Sequence, residues 1–119
     1  MKVTNRIKRT KKPDLTDERI FSILRKHADV LKKLSVRKIG LFGSFVRGEQ
    51  KRRSDIDFLV EFDASSFGEN FGGYFDAYMD LTNFLEKIFH KKVDLLTSEM
   101  ISPYIKPYVS KEVKYLETV

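Results

Sequence analysis

The chain has 119 residues and a mass of 14.0 kDa, with 23 basic and 17 acidic residues and a net charge of +6. This length suits one domain with a core of Leu, Ile, Val and ten Phe. The absence of Cys rules out a disulfide framework and thiolate metal centres, and leaves the redox compartment open. No apolar run approaches the ~20 residues of a membrane span, and the N-terminus lacks the apolar stretch of a signal peptide. A cytoplasmic protein without membrane contact is the expectation.

The charge is uneven. Residues 1–12 carry Lys2, Arg6, Lys8, Arg9, Lys11 and Lys12 and no acid, so the 17 basic residues that remain balance the 17 acids of the body. Residues 1–13 therefore read as a basic, flexible extension, and residues 14–119 as the folded domain. The extension can touch RNA, DNA or an acidic partner, but a solvated, solubilising tail is the favoured reading.

Thr16 is suited to cap a helix, with Asp17 and Glu18 in the first turn where the dipole favours acids. Ile20, Ile23, Leu24, His27, Leu31 and Leu34 recur at spacings of three and four, which predicts one helix of about five turns. His27 falls on or beside that stripe, as a packed imidazole rather than a catalytic one. Val36 to Phe42 predicts a strand ending at Gly43, although Val36, Lys38 and Phe42 break strict alternation. Phe45 to Glu49 suggests a short helix interrupted by Gly48, and Lys51 to Ser54 a charged loop.

Asp55 to Phe62 (DIDFLVEF) predicts a second strand. Asp63 to Gly73, rich in small and polar residues, reads as a mobile loop. Tyr74 to Phe89 has the broad apolar face of a helix, and Val93 to Thr97 forms a short third strand. Ser98 to Leu116, with Pro103 and Pro107, reads as two short helical segments around Lys106. The order gives a small α/β (α+β) domain with a mixed sheet and helices packed on it.

The chemistry lies in Gly43-Ser44 and, after ten intervening residues, Asp55-Ile56-Asp57. A glycine at a strand end lets the backbone approach an anion, and the serine hydroxyl adds a donor. Taken alone, Gly-Ser is equally an ordinary turn. Residues two apart on a strand share a face, so Asp55 and Asp57 project together, which favours a cation between them. Oxygen ligands suit Mg²⁺ or Mn²⁺. The alternative has both acids capping a loop, facing solvent.

Asp94 offers a third acid on a neighbouring strand, placed to bind metal near an incoming hydroxyl and accept its proton. Three such acids can hold two ions about 3.5–4 Å apart. The competing role for Asp94 is a surface pair with Lys91 or Lys92. Arg47, three residues after Ser44, can fork onto phosphate oxygens. Glu49 is expected to pair with a nearby base.

With those residues in place, the segment GSFVRGEQKRRSDIDFLVEF resembles the DNA polymerase β-like nucleotidyltransferase superfamily, whose signature is Gly-Ser, a spacer, Asp-x-Asp and a later Asp. More narrowly the chain is similar to minimal nucleotidyltransferases, the small antitoxin partners of HEPN-domain ribonuclease toxins. The likeness runs from about Leu15 to Glu117 and includes KKVDLLT and SPYIKPYV.

The resemblance implies a single nucleotidyltransferase domain that transfers AMP from ATP to a tyrosine hydroxyl of the toxin. It places the ATP phosphates on Gly43 and Ser44, Mg²⁺ on Asp55 and Asp57, and makes Asp94 the third acid. With no second domain to cradle the base, the pocket must be shallow or be completed by a partner or a second copy. Two other functions fit the chain: an antitoxin that only docks on its toxin, and a transferase for RNA ends or a small hydroxylated molecule. The basic tail supplies the RNA surface in the latter.

Overall fold

The computed structural model describes residues 15–69 and 71–116. The basic extension, residues 1–13, lies outside the described residues, so its expected flexibility carries no structural account. Among the described residues no helix is long and apolar enough to cross a membrane.

The helix predicted through His27 divides into α1 (Asp17–Lys26) and α2 (Ala28–Lys33). The Thr16 hydroxyl accepts the Arg19 amide at 3.2 Å and starts α1 as the sequence suggests. His27 is what breaks the continuity. Its Nδ1 donates to the Ile23 carbonyl at 2.9 Å, so the side chain takes the acceptor that its own backbone N–H would use in a continuous helix. That backbone N–H turns to the Leu24 carbonyl instead, at 3.0 Å. The ring packs edge-on against Phe84 with centroids 5.4 Å apart, which agrees with a packing role.

Four strands follow in the order β3-β2-β1-β4. They are β1 (Val36–Phe42), β2 (Ile56–Phe62), β3 (Val93–Leu96) and β4 (Lys114–Tyr115). β1 is antiparallel to both β2 and β4, while β2 and β3 run parallel, so the sheet is mixed. The register of β1 shifts between Val36 and Lys38, and that irregularity explains why Val36 and Ile39 both reach the core. The remaining helices are α3 (Ser44–Arg47), α4 (Phe71–Phe89) and α5 (Lys106–Glu112).

Further differences from the sequence expectation lie in α4 and at the end of the chain. α4 begins at Phe71, three residues early, and takes in Gly72 and Gly73. Aromatic packing secures that first turn, since Tyr74 meets Phe62 and Phe67 with centroids at 5.3 and 5.6 Å. The tail of the chain also adds β4, two residues long, beyond the single helix α5 and a 3₁₀ turn at Ser98–Met100.

The sheet has two unlike faces. Ile39, Leu41, Ile56, Phe58, Val60, Val93 and Leu95 point to one side, where α1, α2 and α4 bury them with Ile20, Leu24, Leu31, Leu81 and Leu85. Burying each such side chain stabilises the fold by about 1.5–3 kcal/mol. The opposite face carries a smaller cluster of Leu59, Ile101 and Val109, flanked by Phe42, Leu96 and Val113. α5 and the residues that flank it, Ile101 and Val113, cover this second face. Gly40 admits them: a Cβ there would stand 2.7 Å from Val113 Cγ2 and 2.8 Å from the Tyr115 ring.

Candidate active site

Period-two alternation decides where the acids go. With Ile56 and Phe58 committed to the main core, Asp57 must project from the second face, and Val93 and Leu95 send Asp94 there too. The parallel ladder pairs Asp57 with Asp94, and the antiparallel ladder pairs Asp57 with Phe42, the last residue before the Gly43-Ser44 turn. Two strands and one turn thus meet at Asp57.

Gly43 fits against that carboxylate. Its φ of 82° lies in the region that favours glycine, and a Cβ there would collide with Asp57 Oδ2 and stand 3.0 Å from Cγ. Ser44 opens α3, with the Gly43 carbonyl accepting the amides of Val46 and Arg47 at 3.1 and 3.2 Å. Gly48, at φ 73°, ends that helix after one turn.

Asp57 is half-buried, and its pKa is pushed up to about 6. Burial is the largest cause, followed by the negative charge of Asp94, a hydrogen bond shared with Asp94, and the charge of Asp55; Arg47 opposes the shift. Behind the pair, the Tyr78 hydroxyl donates to the Leu95 carbonyl. Burial and the nearby Asp94 raise the Tyr78 pKa.

Asp55 stands one residue ahead of β2, outside the ladder. The strand predicted from Asp55 therefore begins at Ile56, and pleating does not fix the Asp55 side chain. Among the described residues no three acidic or imidazole groups gather into a metal-holding cluster. A two-carboxylate core does fit a hard divalent cation, because Asp57 carries a charge that burial and its neighbours disfavour. Mg²⁺ in particular takes one or two carboxylates and fills its remaining positions with phosphates and water.

Neither neighbouring lysine pairs with Asp94 among the described ion pairs. Lys91 Nζ instead donates to the backbone carbonyls of Arg52 (2.7 Å) and Ser54 (3.1 Å), tying down the loop that leads into Asp55. From α4, Glu86 accepts the Val93 amide at 3.0 Å where β3 starts.

Arg47 lies beside the turn, where its guanidinium meets two acids. Nε donates to Glu49 Oε1 at 2.9 Å, as expected for Glu49, and Nη1 donates to Glu112 Oε1 at 2.8 Å. The other Glu112 oxygen accepts the Gly43 amide at 2.6 Å. Burial pushes the Glu112 pKa upward, but these hydrogen bonds from Arg47 and Gly43 outweigh it and hold the carboxylate below its usual range. Sequence reasoning did not find Glu112. It sits 69 residues from Gly43, in a segment whose only local signals were two prolines.

A cleft of about 410 Å³ is bordered by Phe62, Tyr74, Thr97 and Glu99 at the far ends of β2 and β3. It contains none of Gly43, Ser44, Arg47, Asp55, Asp57 or Asp94, so the cluster described above is a separate feature.

Residues 24–116 match the nucleotidyltransferase domain family. Over 81 residues, 67% of this chain, the sequence is 46% identical to a predicted protein adenylyltransferase of Methanocaldococcus jannaschii and spans 76% of that protein. It is 54% identical over 50 residues to the protein adenylyltransferase MntA of Thermococcus cleftensis, covering 41% of this chain and half of that one. Among solved structures, a toxin–antitoxin complex with AMP-PNP is similar with a TM-score of 0.58 and 27% identity, over 80% of this chain and 73% of that one. A minimal nucleotidyltransferase shares the fold with a TM-score of 0.62 at 20% identity, over 87% of this chain and 98% of that one. With its turn, acid pair and mixed sheet so arranged, the chain belongs to the nucleotidyltransferase domain family.

Proposed function

We propose that this chain is a Mg²⁺-dependent protein adenylyltransferase that moves AMP from ATP to a tyrosine hydroxyl of a HEPN-domain ribonuclease toxin, and so acts as its antitoxin. The observation that carries this reading is the contact of the Gly43-Ser44 turn with Asp57, itself the ladder partner of Asp94. One small region then offers donors for phosphate and carboxylates for a cation and a proton. The similarity to adenylyltransferases and to a toxin–antitoxin chain with AMP-PNP supports the choice of nucleotide and partner.

In this reading Gly43 and Ser44 hold the ATP phosphates through an amide and a hydroxyl, and Arg47 contributes positive charge beside them. Asp55 and Asp57 would hold Mg²⁺, and Asp94 would serve it as the third acid. When bound there, the ion would supply positive charge against the phosphates and the departing pyrophosphate. Asp94, exposed on the second face, would take the proton from an incoming tyrosine. The tyrosine oxygen forms a bond to the α-phosphorus as the bond to the pyrophosphate oxygen breaks, in line. The tyrosine proton passes to the base, and pyrophosphate leaves.

The test is to incubate the purified chain with host-cell lysate and ATP labelled on either the α- or the γ-phosphate. Label from the α-position, but not the γ-position, should appear on a protein tyrosine. It should vanish with Asp55→Asn or Asp57→Asn. Label on RNA ends instead, or protein labelling that survives both substitutions, would refute the proposal.

A further inference from the structure

We infer that Glu112 is a resident anion in the seat that takes the nucleotide's terminal phosphates, so that only a polyphosphate able to displace it binds tightly. This deepens the nucleotidyl-transfer reading and rests on it. It makes Glu112 a specificity-determining residue rather than a part of the chemical step.

The contacts of Glu112 are those of a bound oxyanion. One carboxylate oxygen accepts a backbone amide, Gly43 N–H at 2.6 Å, and the other accepts a guanidinium N–H, Arg47 Nη1 at 2.8 Å. An amide at a glycine turn and an arginine fork are the two donor types that phosphate oxygens seek. The carboxylate thus occupies groups that the nucleotide needs, and like charge bars both from sitting there together.

Helix stability does not account for this placement. Glu112 is the last residue of α5, and an acid at that end opposes the helix dipole. The acid is there for its cross-chain contacts. The segment itself stays docked through Val109 in the second cluster and through the Leu116 amide, which donates to the Ile39 carbonyl at 2.9 Å. Displacement therefore needs only the Glu112 carboxylate to swing out and the end of α5 to lose its tie to the turn. The seat is open to ligand, with the Arg47 side chain 47% exposed and that of Glu112 22%. When Glu112 leaves, Arg47 keeps its aim because Glu49 still holds Nε.

Were Glu112 to leave the seat free in about one molecule in ten, the apparent dissociation constant would rise about tenfold, and only for ligands that must enter it. ATP and inorganic tripolyphosphate reach it; AMP, lacking the terminal phosphates, does not. Calorimetric titration of the full chain with Mg²⁺ present should show E112Q binding ATP and tripolyphosphate about tenfold more tightly than wild type. AMP affinity should be unchanged.

Equal or weaker ATP and tripolyphosphate binding by a folded E112Q would overturn the inference and make Glu112 a brace for the turn. If E112Q fails to fold, hydrogen exchange of the wild type decides. Tripolyphosphate should speed exchange of the amides in residues 106–115, and unchanged or slower exchange there refutes displacement. Absence of any ATP binding by wild type would sink the transfer reading itself. Normal ATP binding without the E112Q gain sinks only the role of Glu112.

Discussion

Gly43 lies against the carboxylate of Asp57 with no room for a methyl group between them. The turn and the acid are therefore set at a fixed separation by backbone contact. Gly43→Ala should combine a strained φ with a collision and destabilise the fold by about 2–4 kcal/mol. Gly48 also has positive φ, 73°, but nothing lies within 4 Å of a Cβ there. Gly48→Ala should cost only about 1 kcal/mol, from strain alone. Urea unfolding of both variants checks the difference, and equal losses would mean that Asp57 moves aside freely.

Asp57→Asn should make the metal-free protein more stable at pH 7 while removing AMP transfer. The native carboxylate is disfavoured by burial and by Asp94 and Asp55, and the amide escapes all three. Because the group is half-exposed, solvent screening limits the gain to on the order of 1 kcal/mol. A melting curve in chelator should shift upward by a few degrees; a downward shift would show that Asp57 is held by favourable contacts.

The same carboxylate sets a pH dependence with a definite sign. Its folded pKa of about 6 exceeds the ordinary 3.8, so the native state binds the extra proton. Stability from this group is fully present below pH ~4 and is lost as pH rises through ~6. The stability gap between Asp57→Asn and wild type should therefore close on acidification to pH 4. Adding Mg²⁺ near pH 6 should expel a proton, measurable by calorimetry in buffers of different ionisation enthalpy. Binding heat that is independent of the buffer would contradict this.

Lys91→Met should loosen the loop before Asp55 by removing two donors to the Arg52 and Ser54 carbonyls. About 1 kcal/mol of stability should go, with a several-fold fall in transfer activity. Lys92→Met should be nearly silent. If the two variants behave alike, Lys91 is acting through general charge and not through the loop.

The strands and the acids were legible because their cause is local. Alternation along β2 and β3 places Asp57 and Asp94 on one face before any tertiary contact is known. The Gly-Ser turn follows from where β1 must stop. Features set by remote or side-chain contacts were hidden. The break at His27 depends on an imidazole capturing a carbonyl, and periodicity cannot register that. Lys91 entered only as one alternative partner for Asp94, because its true acceptors are backbone carbonyls that leave no mark in the sequence. Glu112 meets Arg47 and Gly43 across 65 and 69 residues, and β4 exists only because β1 supplies its pairing. Asp55, one step outside the ladder, shows how far an i, i+2 rule extends when the strand begins a residue late.

The unlike faces of β2 separate two kinds of selection. Changes around Asp57 and Asp94 land on one side of the ribbon, while the larger core is packed on the other. A chain of this shape can vary the exposed surroundings of that acid pair by drift while the main core keeps its packing.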